Sequence, residues 1–141
     1  MIQSESIQLS CNQLQNKSTE LFKYSFDKCT GILYKFYYGE ILLDEIFTTW
    51  DIALANNLIP KNVKGFILDY RNATFKLKRL EYQCIAKYYK MHLDVFGNKR
   101  IAVITATPSD TVIPILVKTL DEGYSSKPFS TVEAAIDWVL R

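Results

Sequence analysis

The sequence predicts a single α/β domain in which helices cover a mixed, mostly parallel sheet. Its 141 residues are 48% hydrophobic and 23% charged, a composition that suits one domain with a proper core. Two strand-like runs separated by turn residues predict an initial β-hairpin. After them, apolar runs of strand length alternate with segments of helical periodicity. The predicted order is therefore β-β-α-β-α-β-α-β-α, with about five strands covered by four helices.

The hairpin is the first predicted element. Residues 1–19 are polar and rich in Gln, Asn and Ser, so we expect a weakly ordered lead-in before a single domain over residues 20–141. Residues 21–26 and 32–38 carry aromatic and β-branched side chains, and turn-forming residues separate them. We expect six aromatic side chains to pair across the two strands on one face: Phe22, Tyr24, Phe26, Tyr34, Phe36 and Tyr38.

Helices and buried strands alternate through the middle of the chain. Residues 41–57 carry a helical stripe of apolar side chains, which Pro60 stops. Residues 63–70 form a continuous apolar run, as expected for a strand buried on both faces. A second helical stripe follows over residues 77–95, and residues 100–105 predict another buried strand.

The last third of the chain predicts two more helices and one more strand. Thr107, Pro108 and Asp110 mark the start of a helix that Gly123 ends. Residues 124–129 form a short strand. Residues 130–133, Ser-Thr-Val-Glu, match a capping box and open the final amphipathic helix.

Several segments together resemble a known family. These are the hairpin, the strand FILDYRNATF, the strand RIAVIT and the tail KPFSTVEAAIDWVLR. Over residues 20–141 they resemble the STAS domain, in particular its small SpoIIAA-like branch, which is similar to the lipid-binding Sec14 fold. The resemblance implies an interaction or regulatory module without catalysis, because signalling members of the family act as antagonists of anti-sigma factors.

The resemblance also implies a position for a regulatory serine, which this chain lacks. Signalling members carry a phosphorylatable serine where the helix begins after the "LD" strand. The matching stretch here is residues 77–80, Leu-Lys-Arg-Leu, so a serine switch is not expected. Thr74 is the nearest hydroxyl, and we expect it to cap or support the start of the helix.

The ends of the predicted strands carry the candidate binding residues. Open α/β sheets bind ligands beyond the carboxyl ends of their strands. The candidate ligand- or partner-binding residues at this edge are Asp69, Arg71, Thr74, Lys76, Lys78, Arg79, Thr105 and Thr107. Lys76, Lys78 and Arg79 fall at a predicted helix start, where positive charge is unfavourable. They predict either a site for a phosphate head group or an acidic partner, or simply a solvated face.

Two other functions are open at this stage. The Sec14-like resemblance implies a carrier or sensor of a small anionic amphiphile or lipid. A receiver-like phospho-acceptor is the third hypothesis, because Asp69, Thr105 and Lys127 occur in the order of a receiver site. A receiver also needs an acidic pair for Mg²⁺, and the first strand ends in Phe-Tyr-Tyr-Gly-Glu without one.

The remaining features argue against several classes of protein. The chain has no GxSxG, HExxH, Walker A or GxGxxG motif, so we expect neither an enzyme nor a cofactor. Three cysteines without CxxC spacing do not support a metal site. The net charge of +2 gives no reason to expect nucleic acid binding. Without a signal peptide or a membrane-spanning run, we expect a cytoplasmic protein with a protein partner, and a homodimer is possible.

Overall fold

The computed structural model describes residues 4–7 and 22–141 of the chain. Within these residues it confirms the predicted alternation of strands and helices, and it adds an N-terminal strand and a short helix. The elements in chain order are β1 (Ser4–Ile7), β2 (Phe22–Asp27), β3 (Ile32–Ile41), α1 (Leu43–Ala55), β4 (Gly65–Phe75), α2 (Tyr82–Met91), α3 (Leu93–Phe96), β5 (Arg100–Ile104), α4 (Pro108–Lys118), β6 (Ser125–Phe129) and α5 (Val132–Leu140).

The sheet is mixed and mostly parallel, as predicted, but it has six strands rather than about five. Its order is β1-β2-β3-β4-β5-β6. The pairs β1–β2 and β2–β3 are antiparallel, and β3 to β6 run parallel to one another. The extra strand comes from the predicted polar lead-in. The rest of that lead-in lies outside the described residues.

The two faces of the sheet are covered by different helices. Side chains of α1, α2, α3 and α4 pack with the sheet in one large apolar cluster that includes Trp50 and Phe66. Ala135 and Val139 of α5 pack in a second cluster, on the other face, with Ile67 of β4. The predicted fourth helix thus covers the face opposite to the other helices. The predicted second helix is divided into α2 and α3 at His92, whose backbone leaves the helical region at φ −127° and ψ 45°.

The hairpin does not place its aromatic side chains on one face, and that prediction is wrong. Tyr24 lies opposite Lys35 and Phe22 lies opposite Tyr37, so these four side chains share the α1 face. Because side chains alternate along a strand, Tyr34, Phe36 and Tyr38 lie on the other face. Lys35 consequently faces the core.

Strand β4 is longer than predicted, and this moves the start of the next helix. Its residues Asn72–Phe75 pair with residues 38–41 of β3. A bulge precedes this stretch, because Tyr70 and Arg71 together face the single residue Tyr37. Helix α2 begins only at Tyr82. Thr74 therefore lies in a strand and does not cap a helix.

Candidate functional site

An open groove lies at the carboxyl edge of the sheet, where the ends of β3 and β4 meet the start of α4. Its volume is about 280 Å³. We call it the strand-end groove. It is lined by Gly39, Glu40, Arg71, Asn72, Ala73, Thr74, Ala106, Thr107 and Asp110. Three of the residues predicted from sequence line it together, namely Arg71, Thr74 and Thr107.

Asp69 and Arg71 form a paired unit beside the groove. Asp69 is 5% exposed. Its Oδ1 accepts hydrogen bonds from the backbone N–H of Arg71 at 2.9 Å and from Nε of the same residue at 3.0 Å. Its Oδ2 accepts from Nη2 of Arg71 at 2.7 Å. The arginine side chain is 44% exposed, so a buried carboxylate holds a half-exposed guanidinium in a fixed orientation.

The pairing with Asp69 also stabilises the protonated form of Arg71. The hydrogen bonds that Arg71 donates to Asp69 raise the pKa of the Arg71 guanidinium, and burial opposes this effect only in part. Both carboxylate oxygens of Asp69 are engaged by Arg71. A receiver-like role would require that carboxylate to attack a phosphoryl group, and this geometry does not favour such an attack.

Thr107 and Asp110 close the far side of the strand-end groove. Thr107 is the N-cap of α4, as its sequence context predicted, and its Oγ1 accepts from the backbone N–H of Asp110 at 3.2 Å. The Thr107 hydroxyl donates to Oδ2 of Asp110 at 2.8 Å. Oδ1 of Asp110 accepts from the backbone N–H of Phe75 at 3.2 Å, which ties the end of β4 to the start of α4. The sequence predicted the start of α4 at Thr107. It carried no signal for the hydrogen bond between Asp110 and Phe75, which joins two elements.

Thr105 is not part of the groove lining, although the sequence placed it among the candidates. It is 3% exposed. Its Oγ1 lies 2.6 Å from Oγ1 of Thr111, and its backbone N–H donates to the carbonyl of Phe129 at 3.0 Å. These contacts join β5, α4 and β6, so Thr105 supports the edge from inside the fold.

The three basic candidates lie in the connection between β4 and α2, outside the groove lining. They are exposed, and they do not occupy a helix N-terminus as predicted, because α2 starts later. Nζ of Lys76 lies 3.7 Å from Oε2 of Glu40. The backbone N–H of Lys78 donates to Oε1 of Glu81 at 2.7 Å. This arrangement supports the solvated-face interpretation of the basic residues.

Sequence reasoning missed a fully buried lysine on the α1 face of the sheet. The Nζ atom of Lys35 donates to Oγ1 of Thr49 on α1 at 2.6 Å. It lies 4.1 Å from the ring centroid of Trp50, 4.6 Å from that of Tyr37 and 5.4 Å from that of Tyr24. We call this arrangement the Lys35 cage. Burial lowers the pKa of the Lys35 amine well below its usual value, against a smaller opposing effect of Asp51.

The interior offers little room for a ligand. The cavity between the sheet and helices α1, α2 and α4 is about 20 Å³ and is lined by side chains such as Leu68, Tyr70 and Tyr89. Sites for small organic ligands usually measure about 300–1,000 Å³. This cavity is therefore too small to enclose an amphiphile.

Metal-ligand clusters and membrane-spanning helices are both absent from the described residues. Among the residues that the structure describes, no three His, Cys, Asp or Glu side chains cluster as ligands for a metal ion. Within residues 4–7 and 22–141, every helix is too short or too polar to cross a bilayer.

Comparison with known proteins supports the fold. No protein-family model matches the chain, and no curated protein matches it. The chain is similar to the crystal structure of an uncharacterized protein of the DUF3478 family with a SpoIIAA-like fold, from Shewanella loihica PV-4. The two share 15% identity at a TM-score of 0.53, over 99% of this chain and 95% of that chain. At this identity the likeness shows the fold, and it confirms the SpoIIAA-like fold expected from sequence.

Proposed function

We propose that this SpoIIAA-like domain is a non-catalytic interaction or regulatory module in the cytoplasm. Its contact surface for a protein partner is the strand-end groove. The observation that carries the proposal is the Asp69–Arg71 unit, in which a buried carboxylate orients a half-exposed guanidinium at an open groove. A preoriented arginine loses little side-chain freedom when it binds, and arginine is enriched at protein interfaces.

The carboxylates around the groove support binding over catalysis. Asp69 is bonded to Arg71, and Asp110 accepts from Thr107 and from the backbone of Phe75. Glu40 lies near Lys76. A general acid or base needs a carboxyl group within reach of a substrate proton. Here each of these carboxylates already has a partner within the protein, whereas the half-exposed Arg71 guanidinium can still donate to a bound protein.

The size of the interior cavity also supports a surface contact. A module that binds a protein requires an accessible face, and it does not require an internal cavity for a ligand. The strand-end groove is open to solvent, whereas the interior cavity is about 20 Å³. The matching position of the family's regulatory serine, residues 77–80, lies beside this edge. Regulation of the partner contact would therefore use a signal other than phosphorylation of that serine.

The proposal is tested by blocking the groove. Asn72 is exposed and lines the groove, so Asn72→Trp places a bulky ring in it. Lys61 is exposed at the opposite edge of the sheet, in the connection from α1 to β4, so Lys61→Trp is the matched control. Partners are isolated from lysate of the source organism, and the affinity of each purified partner for the three forms is then measured.

We expect at least one partner to bind the unmodified protein and the Lys61→Trp variant with equal affinity, and to lose affinity for the Asn72→Trp variant. The proposal is contradicted if every partner binds the Asn72→Trp variant as well as the unmodified protein.

A further inference from the structure

Lys35 is unusual because, among the residues that the structure describes, no carboxylate contacts its amine in the core. It is 0% exposed, and its Nζ atom touches the hydroxyl of Thr49 and the rings of Trp50 and Tyr37. Removing a charged amine from water is costly unless a carboxylate or several hydrogen bonds replace the water. Aromatic rings offset part of that cost through cation–π attraction. The neutral amine avoids the cost altogether and keeps the hydrogen bond to Thr49.

The contacts of Lys35 connect the sheet to one particular helix. Thr49 Oγ1 donates to the carbonyl of Glu45 at 2.7 Å, so it is free to accept from Lys35. The hydroxyl of Tyr24 donates to the backbone carbonyl of Thr49 at 2.8 Å. Trp50, the next residue of α1, forms a wall of the Lys35 cage. The polar attachment of α1 to the sheet is thus concentrated around a single amine.

The other titratable groups near this amine are neutral at ordinary pH or act from a distance. Burial raises the pKa values of the surrounding tyrosines, which keeps them uncharged: Tyr24 of β2, Tyr37 of β3, Tyr70 of β4, and Tyr88 and Tyr89 of α2. Asp51 of α1 is the carboxylate whose field acts on Lys35, and its effect is smaller than that of burial. Among the described residues, no adjacent negative charge therefore balances the positive charge of a protonated Lys35.

We infer that Lys35 is a proton-dependent anchor for α1, which holds the helix firmly on the sheet when the amine is neutral and weakly when it is charged. Helix α1 begins at Leu43, just after the end of β3, and Gly39 and Glu40 of β3 line the strand-end groove. A change in the attachment of α1 therefore reaches one wall of the groove. The anchor itself does not depend on the proposed function.

The direction of the pH effect follows from proton linkage. In the unfolded chain Lys35 has the ordinary lysine pKa of about 10.4. Between its lowered pKa in the fold and that value, the unfolded chain binds one more proton than the folded chain. Stability therefore rises with pH across this window, and the unfolding equilibrium constant falls up to about tenfold per pH unit.

The first test is a side-chain NMR titration of the unmodified protein, which requires no variant. The Nζ and Cε shifts of each lysine report its protonation. We expect Lys35 to titrate clearly below the ordinary lysine pKa of about 10.4. The inference is overturned if Lys35 titrates at that ordinary value.

The second test measures unfolding and amide exchange from pH 6.5 to 9.5 in the unmodified protein and in Lys35→Met. Groups that titrate equally in both proteins change both unfolding constants by the same factor, so the ratio of the two constants reports Lys35 alone. We expect the unmodified protein to gain stability with pH relative to the variant. After correction for intrinsic exchange, protection of the α1 amides should rise with pH in the unmodified protein relative to Lys35→Met. A ratio of unfolding constants, or of α1 protection, that does not vary with pH would overturn the anchor.

Discussion

Lys35 and Asp69 are both buried ionisable residues on neighbouring strands, and they differ in the groups that surround them. Lys35 faces α1, and its contacts are a hydroxyl and aromatic rings inside the core. Asp69 lies on the α5 face, and its partner Arg71 is 44% exposed. The Lys35 amine has uncharged contacts inside the fold, whereas the Asp69 carboxylate is paired with a guanidinium that reaches the surface. Under the two proposals, Lys35 attaches a helix to the sheet and Arg71 takes part in recognition.

The largest expected effect comes from opening the Lys35 cage. Trp50 is fully buried and packs on Lys35, Phe66 and Phe96. We expect Trp50→Ala to lower the free energy of unfolding by about 3–5 kcal/mol, since it leaves a cavity beside a buried amine. Chemical denaturation measures the loss. Trp138→Ala, at a partly buried position of α5, is the control and should lower the free energy of unfolding by less. Equal losses would show that the cage contributes no more to stability than this position.

The next effect concerns the Asp69–Arg71 unit. Arg71→Met removes the guanidinium and leaves a buried carboxylate with only a backbone donor, so we expect a loss of about 1–3 kcal/mol. Adding Asp69→Asn should restore part of this loss, because the amide carries no charge. A double-mutant cycle by denaturation measures the coupling. A coupling free energy of zero would show that the two residues act independently, and it would contradict the account of Asp69 and Arg71 as a paired unit.

A smaller effect is expected at the far side of the groove. Thr107 and Thr131 are both N-caps whose hydroxyls accept a backbone N–H, in α4 and α5. Loss of such a cap costs about 1 kcal/mol. Thr107→Ala should cost more than Thr131→Ala, because Asp110 also loses the hydrogen bond from the Thr107 hydroxyl. Thermal and chemical denaturation of the two variants measures the two losses. Equal losses would contradict this prediction.

The smallest effect is expected in the basic connection after β4. Lys78→Glu combined with Arg79→Glu changes exposed side chains outside the groove lining, so stability should change by no more than about 0.5 kcal/mol. The partner isolated through the groove should still bind this double variant. If the double variant no longer bound that partner, the contact surface would include the connection after β4, and Lys78 and Arg79 would belong to the site.

The sequence predicted the fold well because its strongest signals were local. Buried parallel strands appear as continuous apolar runs, and the helices between them carry clear stripes and caps. The end of β4 was misjudged, since Asn72–Phe75 extend the strand only through pairing with β3. That pairing is a tertiary contact without a local signature. The same reason explains why Thr74 and the basic residues were assigned to a helix start.

The candidate site was predicted in part. Arg71, Thr74 and Thr107 meet because the ends of parallel strands share one edge of a sheet, which is a rule of the fold. The role of Asp110 was not foreseen, because its bond to Phe75 joins residues far apart in the chain. Lys35 carried no signal, since a lysine between aromatic residues in a strand is expected to point to solvent. Only the register of the hairpin turns it inward.

The central claim is that the strand-end groove is the contact surface, and an NMR perturbation map of the ¹⁵N-labelled protein with its isolated partner tests it most directly. We predict that amide signals of residues 39–40, 71–74, 106–107 and 109–110 shift or broaden most, and that those around Lys61 and Lys99 at the opposite edge stay in place. The largest changes at that opposite edge, with the groove unaffected, would contradict the account.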